Sequence, residues 1–276
     1  MGINRKILDE IAENSVTVVG IPCDEGSSFM QGAAAAPPKI REALYGGSAN
    51  FCSEDGIDLG EQGRLRDLGD LEWPASASPF EAIESCVDTL LLKGARVLLL
   101  GGDHAITPAV LRAYHKKHGR INLLQFDAHP DLYDEFDGSR NSHACPFARI
   151  MEEQLVKRLV QVGIRTMNPH QRRQAERFGV EVVDMRAWQL DMRFDFDGPL
   201  YISFDMDALD PAYAPGVSHY EPGGLSTREA LCAIQGIGAP VIGADIVEFN
   251  PWRDSSGMTA MVAAKLLKEL ASKMLS

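Results

Sequence analysis

Four short clusters of acidic and imidazole side chains punctuate this chain, and each begins where an apolar run ends. They are Gly101-Gly102-Asp103-His104, Asp127-Ala128-His129-Pro130-Asp131, Ser203-Phe204-Asp205-Met206-Asp207 and Val247-Glu248-Phe249-Asn250-Pro251. The apolar runs that feed them, residues 96–100, 121–126, 200–204 and 241–246, read as buried strands. In an open α/β sheet the carboxyl ends of parallel strands share one edge, and ligands bind there. Clusters far apart in sequence therefore converge on one spot. Imidazoles and several carboxylates crowded together are costly to bury unless cations neutralise them. The pattern implies a metal centre, and the number of carboxylates implies two ions.

The remaining sequence alternates strand and helix. A first strand covers residues 15–21, and a helix opens at Pro37-Pro38 and runs to about residue 45. The polar stretch 46–63 has no period and reads as loop. Ser78-Pro79 with Glu81 predicts a capped helix that Gly94 stops. Thr107-Pro108 to Gly119 and Asn168-Pro169 to Gly179 bracket two more helices. Ser226 with Glu229 caps another, and a last amphipathic helix spans about 259–271. Strands separated by such helices imply right-handed crossovers and a mainly parallel sheet with helices on both faces. No repeat, linker or composition break appears, so the expectation is one α/β domain over residues 1–276.

A formal net charge of −12 argues against nucleic acid or an anionic membrane as partner and suits a cationic substrate. The five cysteines have no Cys-x-x-Cys spacing, so neither a zinc clip nor a disulfide framework is indicated. The segment Met1–Lys6 has no apolar signal core and no run reaches the length of a membrane span. These features give a cytoplasmic expectation.

Asp127-x-His129-x-Asp131 is the strongest single signal. On an extended backbone, alternate side chains point the same way, so spacing of two aims three ligands at one point. The competing reading is a polar turn with a satisfied histidine. Asp205-x-Asp207 repeats the spacing, although Asp-rich turns are common. Carboxylates are hard ligands and imidazole is borderline, a mixture that suits manganese better than a thiolate-loving metal. His104 follows two glycines that let the backbone turn an imidazole inward. Asp103 beside it either orients that ring or caps a helix. His143 lies in the loop Asn141-Ser142-His143-Ala144 and reads as a proton shuttle or as an exposed loop histidine. Glu248 closes a very apolar strand, where a carboxylate needs an arginine partner or a cationic ligand.

These motifs, in this order, resemble the ureohydrolases, the arginase and agmatinase family, over nearly the whole chain, and are closest in wording to plant-type arginases. The resemblance implies a three-layer α/β/α fold and two Mn2+ per chain. His104, Asp127, Asp131 and Asp205 would hold one ion, and Asp127, His129, Asp205 and Asp207 the other. Asp131, His143 and Glu248 would be catalytic: Glu248 on the substrate guanidinium, Asp131 giving a proton to the leaving amine and His143 replenishing it. A bridging hydroxide would attack the guanidinium carbon, releasing urea and an amine. L-Arginine is the favoured substrate, with agmatine or another guanidino acid as alternatives, and a homo-oligomer, trimer or hexamer, is implied. One departure stands out: animal arginases carry acidic residues after a Gly-x-Arg, whereas Gly163-Ile164-Arg165-Thr166-Met167-Asn168 offers none. A same-fold single-zinc deacetylase, a two-metal phosphoesterase and a non-catalytic relative are the rival readings. The first would keep fewer of these ligands, the second would show a Gly-Asn-His-Glu-like signature, and the third would have lost a ligand.

Overall fold

The computed structural model describes residues 11, 15–61 and 63–276. The reading of Met1–Lys6 lies outside the described residues. Eight strands form one parallel sheet in the order β2-β1-β3-β8-β7-β4-β5-β6. The strands are β1 (Val16–Gly20), β2 (Leu65–Asp70), β3 (Arg96–Leu100), β4 (Ile121–Phe126), β5 (Val156–Ile164), β6 (Glu181–Asp184), β7 (Leu200–Asp205) and β8 (Val241–Val247). The helices are α1 (Ala36–Leu44), α2 (Pro79–Leu92), α3 (Thr107–His118), α4 (Pro146–Glu152), α5 (Pro169–Phe178), α6 (Thr227–Gln235) and α7 (Met258–Leu275).

Alternation along each strand divides the core into two layers. In β3, Leu98 and Leu100 pack on the side of α1, α6 and α7, while Val97 and Leu99 pack on the side of α2, α3 and α4. Tyr201 likewise faces the second layer and Ile202 and Phe204 the first. With both faces covered, central strands have no polar side to show water and read as continuous apolar runs. Each buried Leu, Ile or Phe contributes about 1.5–3 kcal/mol by leaving water, so the centre of the sheet is the rigid part of the molecule.

The strand order places the site. β3, β8, β7 and β4 are neighbours, and Leu100, Ile246, Phe204 and Phe126 stand level across them. The residues that follow each are the four clusters. The chain passes from β3 to β4 over the two positions that β7 and β8 later fill, which makes the crevice typical of ligand sites in such sheets.

Three strands and one helix were not legible in the sequence. β2 and β6 are the sheet edges and carry charged residues, β5 is interrupted by Lys157, Arg158 and Gln161, and α4 is a short helix of seven residues. The capping boxes form at Asn168 with Gln171 and at Ser226 with Glu229. Ser78 corrects the expectation: its hydroxyl caps nothing. That helix starts on the fixed backbone of Pro79 and the bond from Ala82 N–H to the Ser78 carbonyl. Among the described residues, no helix is long and apolar enough to cross a membrane.

Gly102 is required by close approach. A Cβ there would lie 1.7 Å from the Cys23 carbonyl oxygen, which also accepts the Asp103 N–H at 2.9 Å. Gly102→Ala should therefore cost at least 1–3 kcal/mol, the usual order for overpacking, read as a lower denaturant midpoint at unchanged slope. A wild-type midpoint would show that the β3 turn and the Cys23 strand end separate freely.

Candidate metal centre

His104 opens a 3₁₀ turn directly after β3 and is fully buried. Asp103 takes the capping role: its side chain accepts from Ala105 N–H at 3.1 Å and from the Ser27 hydroxyl at 3.3 Å. The His104 Nδ1 faces three carboxylate oxygens, those of Asp205 at 3.1 Å, Asp127 at 3.2 Å and Asp131 at 3.3 Å. On the far side of the ring, Nε2 lies 2.8 Å from the Ser203 hydroxyl, which donates to Asp245 at 2.7 Å. Asp245 also accepts from Tyr201 at 3.0 Å and Thr107 at 3.1 Å, so it serves as the acceptor at the base of the network. The Ser203 proton is committed to Asp245, and the oxygen must accept from Nε2–H. The neutral tautomer is thereby fixed, with the Nδ1 lone pair aimed at three carboxylates. A proton on Nδ1 satisfies only one of them; a divalent cation satisfies the whole group. Burial lowers the affinity of His104 for a proton, but Asp127, Asp131 and Asp205 outweigh it and hold the ring well above its ordinary pKa. In the same pocket, burial together with Asp207 and Asp127 holds Asp205 well above the usual carboxylate range. Burial and Asp127 push Asp131 up to about 6.

A second trio stands beside the first. Donor atoms of Asp127, His129 and Asp207 lie within 4.8 Å of one another, as do those of His104, Asp127 and Asp131. His129 Nδ1 is 3.0 Å from Asp207 and 3.6 Å from Asp127. Asp127 belongs to both groups, presenting Oδ2 to His104 and Oδ1 to His129. Burial alone would raise its pKa, but the two imidazoles hold it below the ordinary carboxylate range. Asp205 stands against His104, and its other oxygen accepts the Asp207 N–H at 2.8 Å. The expectation of an extended ligand segment is corrected here. The backbone bends at once, with Asp127 accepting the His129 N–H at 2.6 Å and Asp131 at φ 49. The bend separates Asp131 from His129 into different trios, where an extended strand would aim both at one point.

Glu248, at φ 64, is also in the left-handed region. For a side chain with a Cβ such a conformation costs about 1–3 kcal/mol and persists only where the surroundings enforce it. One oxygen of Glu248 accepts the His104 N–H at 2.9 Å and faces His143 Nδ1 at 2.9 Å. The other forms no hydrogen bond among the described residues. Among the described residues no arginine pairs with Glu248, and His143 is 8% exposed, which excludes a surface-loop role. Burial pulls His143 down, yet the charge of Glu248 lifts it to about 9. Burial pushes Glu248 up, and His143 more than offsets this. Ser28 holds the other ring nitrogen through its hydroxyl at 2.8 Å and its N–H at 3.2 Å.

Asp131, His129, Asp205, Asp207 and the Glu248–His143 pair border one cleft of about 190 Å³, while His104 and Asp127 are fully buried. Its outer lining is Ser28, Tyr133, Phe136, Thr166, Asn168, Gln171 and His219. Thr166 and Asn168 come from the segment after Gly163-Ile164-Arg165, so that departure from the animal pattern leaves neutral side chains on the cleft wall. His219 was not singled out. Its ring lies 5.9 Å from His129 and 5.3 Å from His143, and burial, then His143, hold it below its ordinary pKa. Its segment, residues 217–219, has no ligand-type spacing that would mark it from sequence.

A family model described as "Arginase family" matches residues 14–272. Arginase 1, mitochondrial, of Arabidopsis thaliana is 46% identical, the match covering 95% of this chain and 82% of that protein. Guanidino acid hydrolase, mitochondrial, of Homo sapiens is 38% identical over 91% of this chain and 76% of that protein. The solved arginase from Medicago truncatula superposes with a TM-score of 0.88 at 38% identity, covering 98% of this chain and 95% of the other. Several plant relatives carry a mitochondrial or chloroplastic location in their names, which overturns the cytoplasmic expectation.

Ser203→Ala removes the acceptor that keeps the proton on His104 Nε2. Loss of such a supporting bond typically costs roughly 10- to 100-fold in metal affinity, so equilibrium dialysis should show Mn2+ binding weakened on that order. Unchanged affinity would mean that the ring is oriented by packing against Phe147 alone, 5.0 Å away edge-on.

Proposed function

Because the chain belongs to the arginase family, we propose that it is a manganese-dependent ureohydrolase that converts a guanidino substrate and water to urea and an amine, with L-arginine favoured. The observation that carries this reading is the convergence of the His104 nitrogen and three carboxylate oxygens beside a second trio that shares Asp127. His104, Asp127, Asp131 and Asp205 would hold one ion, and Asp127, His129, Asp205 and Asp207 the other. Oxygen and imidazole donors without thiolate suit Mn2+. When bound, such a pair of cations lowers the pKa of water toward neutrality and supplies a nucleophile. Two ions also fit this donor set better than the single zinc of a deacetylase, and no ligand position is lost as it would be in a non-catalytic relative.

A guanidinium carbon is a poor electrophile because its charge is spread over three nitrogens, so orientation matters. Glu248 has one oxygen fixed by His104 N–H and His143, which leaves the other to accept from the guanidinium in the cleft. Asp131, at the cleft wall, would deliver the proton to the departing amine nitrogen. His143 replaces that proton from the solvent side, where Ser28 holds its outer nitrogen. By the same resemblance the working assembly is a homo-oligomer, a trimer or hexamer, which light scattering would decide.

The neutral outer lining supports arginine over agmatine. Thr166 and Asn168 offer the distal ammonium of agmatine no carboxylate, with Glu221 standing 4.0 Å from His129 Nε2, whereas arginine carries a carboxylate beside its ammonium and a guanidino acid a carboxylate alone. A guanidino acid is the second reading, favoured by the same lining. Urea release with Mn2+ supplied should give kcat/KM for L-arginine at least about tenfold above agmatine, a gap of about 1.4 kcal/mol. A preference for agmatine by that factor would overturn the substrate assignment.

The pH profile tests the pair. Glu248 raises the pKa of His143, so the imidazolium, whose Nε2–H would donate to the Ser28 hydroxyl in place of accepting the Ser28 N–H, persists as pH rises until about 9 and is lost above it. Glu248→Gln removes the charge that holds it there. The alkaline limb should shift to lower pH, with KM raised by loss of the guanidinium contact. A lower kcat on an unmoved limb would show that His143 is not the titrating group.

A further inference from the structure

Arg165 leaves the end of β5 and lies outside both trios, yet it touches every loop that builds the second one. Its guanidinium donates five hydrogen bonds, each to a main-chain carbonyl. Nη2 reaches Asp207 at 2.6 Å and Leu209 at 3.3 Å; Nη1 reaches Ala208 at 3.2 Å and Gly163 at 3.1 Å; Nε reaches Glu221 at 2.7 Å. The Arg165 main-chain N–H donates to the Ala128 carbonyl at 3.0 Å. Ala128 sits between Asp127 and His129, and its own N–H donates to Asp207 Oδ1 at 3.1 Å. One residue thus grips the peptide that separates two ligands of the second trio and the carbonyl of the third. A guanidinium is suited to this because five N–H groups in a rigid plane can satisfy several carbonyls at once, which an ammonium on a flexible stem cannot.

We propose that Arg165 is a positioning residue that sets the separation of His129 and Asp207 and so determines affinity for the second metal ion, leaving the His104 trio unaffected. The inference rests on the two-ion reading above. Its particular content is selectivity. Among the described residues Arg165 forms no hydrogen bond to His104, Asp131 or the Ser203–Asp245 network, so loss of the clamp should loosen one ion and spare the other. Gly224 supplies an independent handle. A Cβ there would lie 2.7 Å from Arg165 Cζ and Nη2 and 2.8 Å from the Ala208 carbonyl oxygen, so it would wedge between the guanidinium and one of the carbonyls it grips.

The test is Mn2+ stoichiometry by equilibrium dialysis, with electron paramagnetic resonance to distinguish a coupled ion pair from a lone ion. Wild type should bind two ions per chain and show the coupled signal. Arg165→Lys and Gly224→Ala should each weaken the second ion by roughly 10- to 100-fold, the order found when a group supporting a ligand is lost. At limiting metal they should show the lone-ion signal with first-ion affinity unchanged. Two ions bound with wild-type affinity in both folded variants would overturn the clamp, and so would equal weakening of both ions. If Arg165→Lys fails to fold, Gly224→Ala decides. A wild type that binds a single ion would instead refute the two-ion reading.

Discussion

Around His104 the structure sets acceptor against acceptor. Three buried carboxylate oxygens face a ring nitrogen whose proton is drawn to the opposite side by Ser203 and Asp245. Such an arrangement is unfavourable in a low-dielectric interior unless a cation fills it, and the rest of the molecule is built to hold it in place. The repulsion is resisted by the stiffest available support, the four central strands whose ends present it. Two covering helix layers keep water from relaxing those strands.

The same rigidity explains two strained residues of the site, among five described non-glycine residues with positive φ. Asp131 and Glu248 both occupy the left-handed region, which disfavours any residue with a Cβ. Each is over-determined by its neighbours. The Glu248 N–H donates to the Gly102 carbonyl while its side chain bonds the next turn, and the Asp131 carbonyl accepts the Phe147 N–H. Strain of this kind turns a side chain out of the strand direction toward the cleft. Regular extension would have sent it into one of the packed layers.

Chemistry and specificity reside in different parts of the cleft. The inner wall consists of carboxylates and imidazoles, and the chain as a whole is similar to proteins named as arginase and as guanidino acid hydrolase alike. The outer wall, from Ser28, Tyr133, Thr166, Asn168 and His219, comes from loops and carries no acid. Loops on a rigid scaffold can vary their side chains without disturbing the buried acids and imidazoles beneath them. The neutrality of the outer wall is a statement about charge: a distal cation would be desolvated there without a partner.

The sequence by itself determined the layered α/β class, the central strands and the residues at their ends. Those features are local: continuous apolar runs mark strands covered on both faces, and the capping residues Asn168 and Ser226 act within one turn. Charged edge strands β2 and β6 escaped because a half-exposed strand has no such run. Only the tertiary structure decided how the candidate donor atoms divide into two trios. Spacing of two in Asp127-x-His129-x-Asp131 suggests one focus, but a positive φ at Asp131 and the approach of β7 separate two. The Ser203–Asp245 relay behind His104, the carbonyl clamp of Arg165 and the entry of His219 into the cleft likewise join residues remote in sequence. Their distances are set by crossovers and strand order, which no local pattern of residues encodes.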